Sequence, residues 1–66
     1  MKVKYEARKP DGTHQNGMIE AKSFEDAFTK LDKEYNFPNE TRIDFCKLGH
    51  WKFNTTFIVR HLKVTQ

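Results

Sequence analysis

AKSFEDAFTKLDKEYNFP, residues 21–38, is the stretch whose reading decides the fold. Phe24, Ala27, Phe28, Leu31 and Tyr35 recur at the i, i+3, i+4, i+7 spacing that gathers side chains on one stripe of a helix. Ser23 precedes the stripe and Asp26 follows three residues later, a capping-box pattern that satisfies backbone N–H groups left open at a helix start. Asn36 suits the left-handed conformation of a helix end, and Phe37, standing before Pro38, is driven out of the helical region. Glu25, Lys30, Asp32, Lys33 and Glu34 make the opposite, water-facing side. A helix with one apolar stripe needs a partner surface, and the flanking sequence offers a sheet.

On the N-terminal side, residues 2–8 alternate strictly, with Val3, Tyr5 and Ala7 against Lys4, Glu6 and Arg8, the pattern of a half-buried strand. Lys9-Pro10-Asp11-Gly12 follows as a turn, Pro10 presetting φ and Gly12 supplying a positive φ. A second strand is expected over residues 13–22, with Gly17, Ile19 and Ala21 on one face. Asn16-Gly17 is a further turn signal inside it and is read as a bulge, the alternative being a hairpin tip displaced towards it.

On the C-terminal side, Asn39 and Glu40 form a short connection. Residues 42–48 then alternate, Ile43 and Phe45 against Arg42, Asp44 and Cys46. Gly49-His50 suits a two-residue turn. Residues 51–64, WKFNTTFIVRHLKV, are β-prone but too long for one strand, and Asn54-Thr55 is the expected break. Phe57-Ile58-Val59 is apolar on both faces, which implies a central strand or one covered on its second face. The reading is a single domain over residues 1–66, of the α+β class. It is a two-layer sandwich with one helix packed on an antiparallel sheet of four to five strands in ββαββ order.

Size narrows the function classes. A domain of about 60 residues buries only about 60% of the surface its unfolded chain exposes. The nine aromatic residues must therefore build the core, leaving little to wall a deep pocket, which argues against an enzyme. The single cysteine, Cys46, excludes an intramolecular disulfide and suits a reducing cytoplasm. No apolar run reaches membrane-spanning length, and no signal-peptide core is present. The chain starts at Met1 with no tag or linker scar, and the expectation is a complete small gene product. The triplets beginning at Asn39 and Asn54 match the glycosylation pattern, which matters only in a secreted protein.

Formal charge is +3, unevenly spread: +2 over residues 1–22, −3 over 23–40 and +4 over 41–66. The helix segment is acidic and the C-terminal segment basic, so a polyanion is expected to prefer the sheet. Trp51, Lys52, Phe53, Arg60, His61 and Lys63, with His50, form a basic and aromatic cluster. Single-stranded nucleic acids are held by such interleaving, because bases stack on rings while cations neutralise phosphates. The plainer reading makes Trp51, Phe53 and Phe57 core and the charges a solvated face. The ordered glycines and aromatics of the RNA-recognition sheet motif are absent from GHWKFNTTF, residues 49–57.

Other chemistry finds less support. Cys46, His50, His14 and His61 are what a zinc site would draw on, but structural zinc commonly takes two or more cysteines at short spacings. Cys46 is read as a small buried hydrophobe. No signature places it beside a histidine base, and no carboxylate pair can be inferred for acid–base work. Gly12 and Gly17 do not make a phosphate loop. No catalytic residue, metal site or cofactor is therefore expected.

A sheet covered by one helix keeps one face open. Trp51, Phe53, Ile58 or Leu62 on that face would mark an interface with a protein partner. Phe57-Ile58-Val59, with Trp51, would equally favour a homodimer, unless the monomer shields them. Sheet edges can also take a partner strand. The run YEARKPDGTHQNGMIEAKSFEDAFTKL, residues 5–31, resembles the hairpin-plus-helix pattern of the arm-binding N-terminal domains of phage integrases and of small phage proteins that inhibit host RNA polymerase. The shared element is a strand ending near Ala21, followed by Ser23, Asp26, Ala27 and Leu31. It covers less than half of the chain and carries over no functional residue. What the resemblance implies is a stand-alone, phage- or plasmid-encoded binding protein rather than an enzyme. The leading expectation is thus a non-enzymatic protein occupying a surface on a protein partner. A nucleic-acid-binding module using Trp51, Lys52, Phe53, Arg60, His61 and Lys63 comes second, and a small metal-binding or enzymatic domain third.

Overall fold

The computed structural model describes residues 1–49 and 52–61. The helix α1 (Phe24–Tyr35) begins and ends as its flanking residues dictate. Ser23 is extended, with φ −158° and ψ 173°, and its hydroxyl accepts a 3.0 Å bond from the Asp26 amide. Asp26 completes the box one residue further back than the usual pattern, its carboxylate accepting from the Lys22 amide at 2.9 Å. At the other end Asn36 is left-handed, at φ 50° and ψ 55°, and its amide donates to the Asp32 carbonyl.

Four strands form one antiparallel sheet: β1 (Lys2–Arg8), β2 (His14–Glu20), β3 (Arg42–Lys47) and β4 (Thr55–Ile58), in spatial order β2-β1-β3-β4. The β1–β2 hairpin closes through the Gly12 amide donating to the Lys9 carbonyl, with Gly12 at φ +92°. Asp11 Oδ1 accepts from both the amide and the hydroxyl of Thr13. After β2 the chain crosses over through α1 and returns on the far side of β1, so β2 and β3 point the same way with β1 reversed between them. The architecture is the expected α+β sandwich with four strands.

Three expectations are corrected. The β1–β2 register runs unbroken from Lys2 opposite Glu20 to Arg8 opposite His14, so Asn16-Gly17 is neither a bulge nor a tip. Gly17 is there for another reason: a Cβ on it would lie 3.2 Å from the Tyr5 hydroxyl and 3.3 Å from its ring, so the glycine makes room for a buried tyrosine directly opposite. Second, among the described residues β4 is an edge strand, not a central one, and the apolar run around it is divided by the pleat. Phe57 joins the core cluster and Val59 is fully buried, while Ile58 is turned to the other face and is exposed. Third, Asp44, set on the strand face opposite Ile43 and Phe45, is buried too, so with Cys46, buried as expected, β3 is covered on both sides. The break at Asn54-Thr55 is where β4 begins.

The core lies between α1 and the odd-numbered residues of β1 and β3: Val3, Tyr5, Ala7, Ile43 and Phe45, with Ala27 and Leu31 from the helix. Its chief packing device is a run of rings. Phe24 stacks on Phe45 at 5.9 Å, Phe45 meets Phe57 edge-on at 5.6 Å, and Phe57 stacks on Phe28 at 4.9 Å. Phe24 and Phe28, one turn apart on α1, thereby clamp β3 and β4. Phe37 is among the most buried residues, stacked under Tyr35 at 5.4 Å with the Lys9 ammonium 5.9 Å from its ring. Only its exit from the helix is evident in the sequence.

Candidate functional site

Strand pairing sorts side chains onto two faces, and the face away from α1 is assembled from the even-numbered residues. It carries Lys4, Glu6 and Arg8 from β1, His14, Asn16 and Met18 from β2, Arg42, Asp44 and Cys46 from β3, and Thr56 and Ile58 from β4. Leu48 continues this parity, its amide donating to the Lys2 carbonyl. The face is mixed, neither apolar throughout nor strongly basic.

At its centre Glu6 and Asp44 stand directly opposite each other on neighbouring strands. Like charges so placed repel, and the surrounding groups offset this. Glu6 is 3.5 Å from Arg8 Nη2 and 3.9 Å from His14 Nδ1. Asp44, buried, accepts from Thr56 Oγ1 and lies 3.4 Å from Arg42 Nε. This acid pair escapes sequence reading because it is a matter of register alone. Its neighbours neutralise it, so it forms a polar belt. Among the described residues no three of His, Cys, Asp and Glu gather to hold a metal ion.

Beside the belt is a shallow hollow of about 340 Å³ lined by Lys4, Glu6, Asn16, Met18 and Phe53, with Tyr5 and Gly17 at its base. Its apolar walls are Met18 and Phe53, its polar ones Lys4, Glu6 and Asn16. Among the described residues six large apolar side chains stay exposed, and four belong to this side: Met18 at 60%, Leu48 at 52%, Phe53 at 40% and Ile58 at 39%. The other two, Met1 and Tyr35, lie at the chain start and the helix end.

Of the residues expected to form the basic and aromatic cluster, Lys52, Phe53, Arg60 and His61 are described. Phe53 lines the hollow and Lys52 next to it is exposed. Arg60 Nε lies 3.4 Å from Glu40 Oε2. His61 turns to the helix: its Nε2 is 2.9 Å from Asp32 Oδ1, and its amide donates to Asn39 Oδ1 at 2.7 Å. Asp32 is therefore not simply a water-facing residue of α1. Trp51, Lys63, His50 and Leu62 lie outside the described residues. Cys46 is buried in β3. Met18 carries no signal of its own in the sequence, because its place at the hollow depends on the register that sets it opposite Lys4.

Three carboxylates are held below the ordinary carboxylate range. For Asp26 the cause is the Lys22 amide, for Asp11 the Thr13 hydroxyl and then its amide, and for Glu20 the hydrogen bond from the Met1 ammonium. The Tyr35 phenol is raised through its hydrogen bond with Tyr5. Each belongs to a cap, a turn or a chain end, and none lines the hollow.

Fold and surface together define a small α+β sandwich with α1 on one side of the sheet; on the other side Met18, Phe53 and Ile58 are exposed while Asp44 and Cys46 of β3 are buried. Comparison of the chain with family models, curated proteins and solved structures finds no match. Among the described residues no helix is long and apolar enough to cross a membrane.

Proposed function

We propose that this chain is a non-enzymatic binding protein of the cytoplasm that acts by occupying a surface on a protein partner, through the exposed part of the sheet face away from α1. The observation that carries the reading is that Met18 and Phe53, both exposed large apolar side chains, meet at one hollow, with Leu48 and Ile58 exposed elsewhere on the same side of the sheet. Scattered exposed apolar residues are ordinary, whereas a group rimmed by polar residues is typical of protein interfaces. Lys4, Glu6, Arg8 and Arg42 supply such a rim with both signs of charge. A nucleic-acid surface draws less support, because Arg8, Arg42 and Arg60 each have a carboxylate within 3.5 Å.

The test is affinity capture from cell extract with nuclease present, using the wild-type chain and a Met18→Glu, Phe53→Glu variant whose fold is checked by circular dichroism. Expected is a protein retained by the wild type and released by the variant. Retention that vanishes with nuclease, or that ignores both substitutions, would overturn the reading. For the nucleic-acid alternative the decisive result is quenching of Trp51 fluorescence by a single-stranded oligonucleotide that persists at about 150 mM salt.

A further inference from the structure

The sheet has two edges, and they are not equivalent. β4 is four residues long, whereas β2 has seven and a bulge-free register along its whole length. Native sheets protect such edges with lysine, proline, bulges or a covering segment. His14-Gln15-Asn16-Gly17-Met18-Ile19-Glu20 contains neither lysine nor proline, and among the described residues no strand lies beyond it.

The hydrogen-bond phase identifies which backbone groups the edge presents. Met1 and Ala21 exchange both bonds, at 2.7 and 2.9 Å, and the Lys9 amide donates to the Thr13 carbonyl at 2.9 Å. Bonded and non-bonded pairs alternate in an antiparallel ladder, so residues 15, 17 and 19 bond inwards to β1. The N–H and C=O groups of His14, Asn16, Met18 and Glu20 consequently point outwards. One of them has a partner: the Glu20 carbonyl accepts from Lys30 Nζ at 3.1 Å, and a carbonyl has a second lone pair for another donor.

We propose that β2 is a pairing edge whose occupant is the β2 strand of a second copy of this chain, antiparallel and centred on Gly17. The strand is complementary to itself in that register. His14 then faces Glu20 of the second copy, Asn16 faces Met18, and Gly17 faces Gly17. All outward-pointing groups meet outward-pointing groups, and the two glycines occupy the non-bonded central pair, where strands approach most closely. Moving the centre to Met18 sets His14 against Lys22. Moving it to Asn16 carries Glu20 opposite Gly12, beyond the strand. Only the Gly17 centre pairs all seven residues and opposes unlike groups at both ends. The product is a continuous eight-stranded sheet with both helices on one side. Because the sheet extends in its own plane, the hollow beside Met18 and Phe53 stays accessible in both copies, so this pairing goes beyond the proposed partner surface and does not compete with it.

The test uses the whole chain in two charge variants, Glu20→Lys and His14→Glu, neither of which touches the hollow. Sedimentation equilibrium up to millimolar concentration should show a wild-type dimer, and each variant alone should dimerise about tenfold more weakly, since His14→Glu sets two carboxylate pairs across the twofold axis and Glu20→Lys removes the carboxylate that faces each His14. Mixed together, the two variants should form the heterodimer in excess of the statistical half, because His14 then meets Glu20 and the two substituted positions carry opposite charges. Amide exchange followed by NMR should slow at Asn16 and Met18 as wild-type concentration rises. A wild type that stays monomeric at millimolar concentration overturns the proposal. So does a dimer without protection at Asn16 and Met18, which would place the contact elsewhere, and a mixture without heterodimer excess, which would refute the register.

Discussion

Leu31 and Tyr35 occupy equivalent positions on the apolar stripe of α1, yet the structure assigns them unequal weights. Leu31 is 2% exposed and belongs to the core cluster, whereas Tyr35 is 44% exposed and rests on Phe37 at the helix end. Leu31→Ala removes three buried carbons at about 0.8 kcal/mol each and leaves a cavity that the ring-packed surroundings fill poorly. The expected loss is about 3–4 kcal/mol. Tyr35→Ala gives up a half-exposed ring and one stacking contact, so the expected loss is about 1–1.5 kcal/mol. A domain of 66 residues has a total stability of about 3–10 kcal/mol, so the first variant is near the limit of folding and the second is well within it. Urea denaturation followed by far-ultraviolet circular dichroism measures both. With a slope of about 1 kcal/mol per molar urea, the two midpoints should differ by about 2 M. Equal losses, or a Leu31→Ala loss below about 1 kcal/mol, would refute the assignment of the core to the middle of the helix.

Ser23→Ala should lower stability by about 0.5–2 kcal/mol in the same assay, because the Asp26 amide loses its acceptor. Asp26, Asp11 and Glu20 titrate lower in the folded chain than in the unfolded one, so their contribution is complete above the ordinary carboxylate range near about pH 4 and is lost as pH falls through the depressed values. Melting temperature should therefore be flat from neutral pH to about pH 5 and fall below about pH 4. Asp26→Asn should make that fall shallower. Gly17→Val forces the opposing Tyr5 ring to move, so a loss of about 1–3 kcal/mol is expected, together with shifted Tyr5 ring resonances in NMR spectra. Unchanged resonances would mean that the ring does not rest on Gly17.

The helix was legible because its signals are local. Ser23, Asp26, Asn36 and the spacing from Phe24 to Tyr35 all act within a few residues, and the backbone obeys them wherever the rest of the chain lies. The same holds for β1 and for the Lys9–Gly12 turn, where alternation and glycine chemistry suffice. The meaning of Gly17 was not legible, because it depends on which residue of β1 stands opposite. That register is set by the hairpin as a whole, and read in isolation Asn16-Gly17 signals a turn. The order β2-β1-β3-β4 likewise comes from the crossover through α1, a long-range choice that made β4 an edge and divided Phe57 and Val59 from Ile58. The candidate site was only partly legible for the same reason. Phe53 was recognised by composition, but its neighbours Met18, Lys4 and Glu6 are far away along the chain and meet it only through strand pairing. His61 read as part of a basic surface until the fold brought Asp32 within hydrogen-bonding distance. Local chemistry sets which elements form, and the pairing of distant strands decides which side chains share a face.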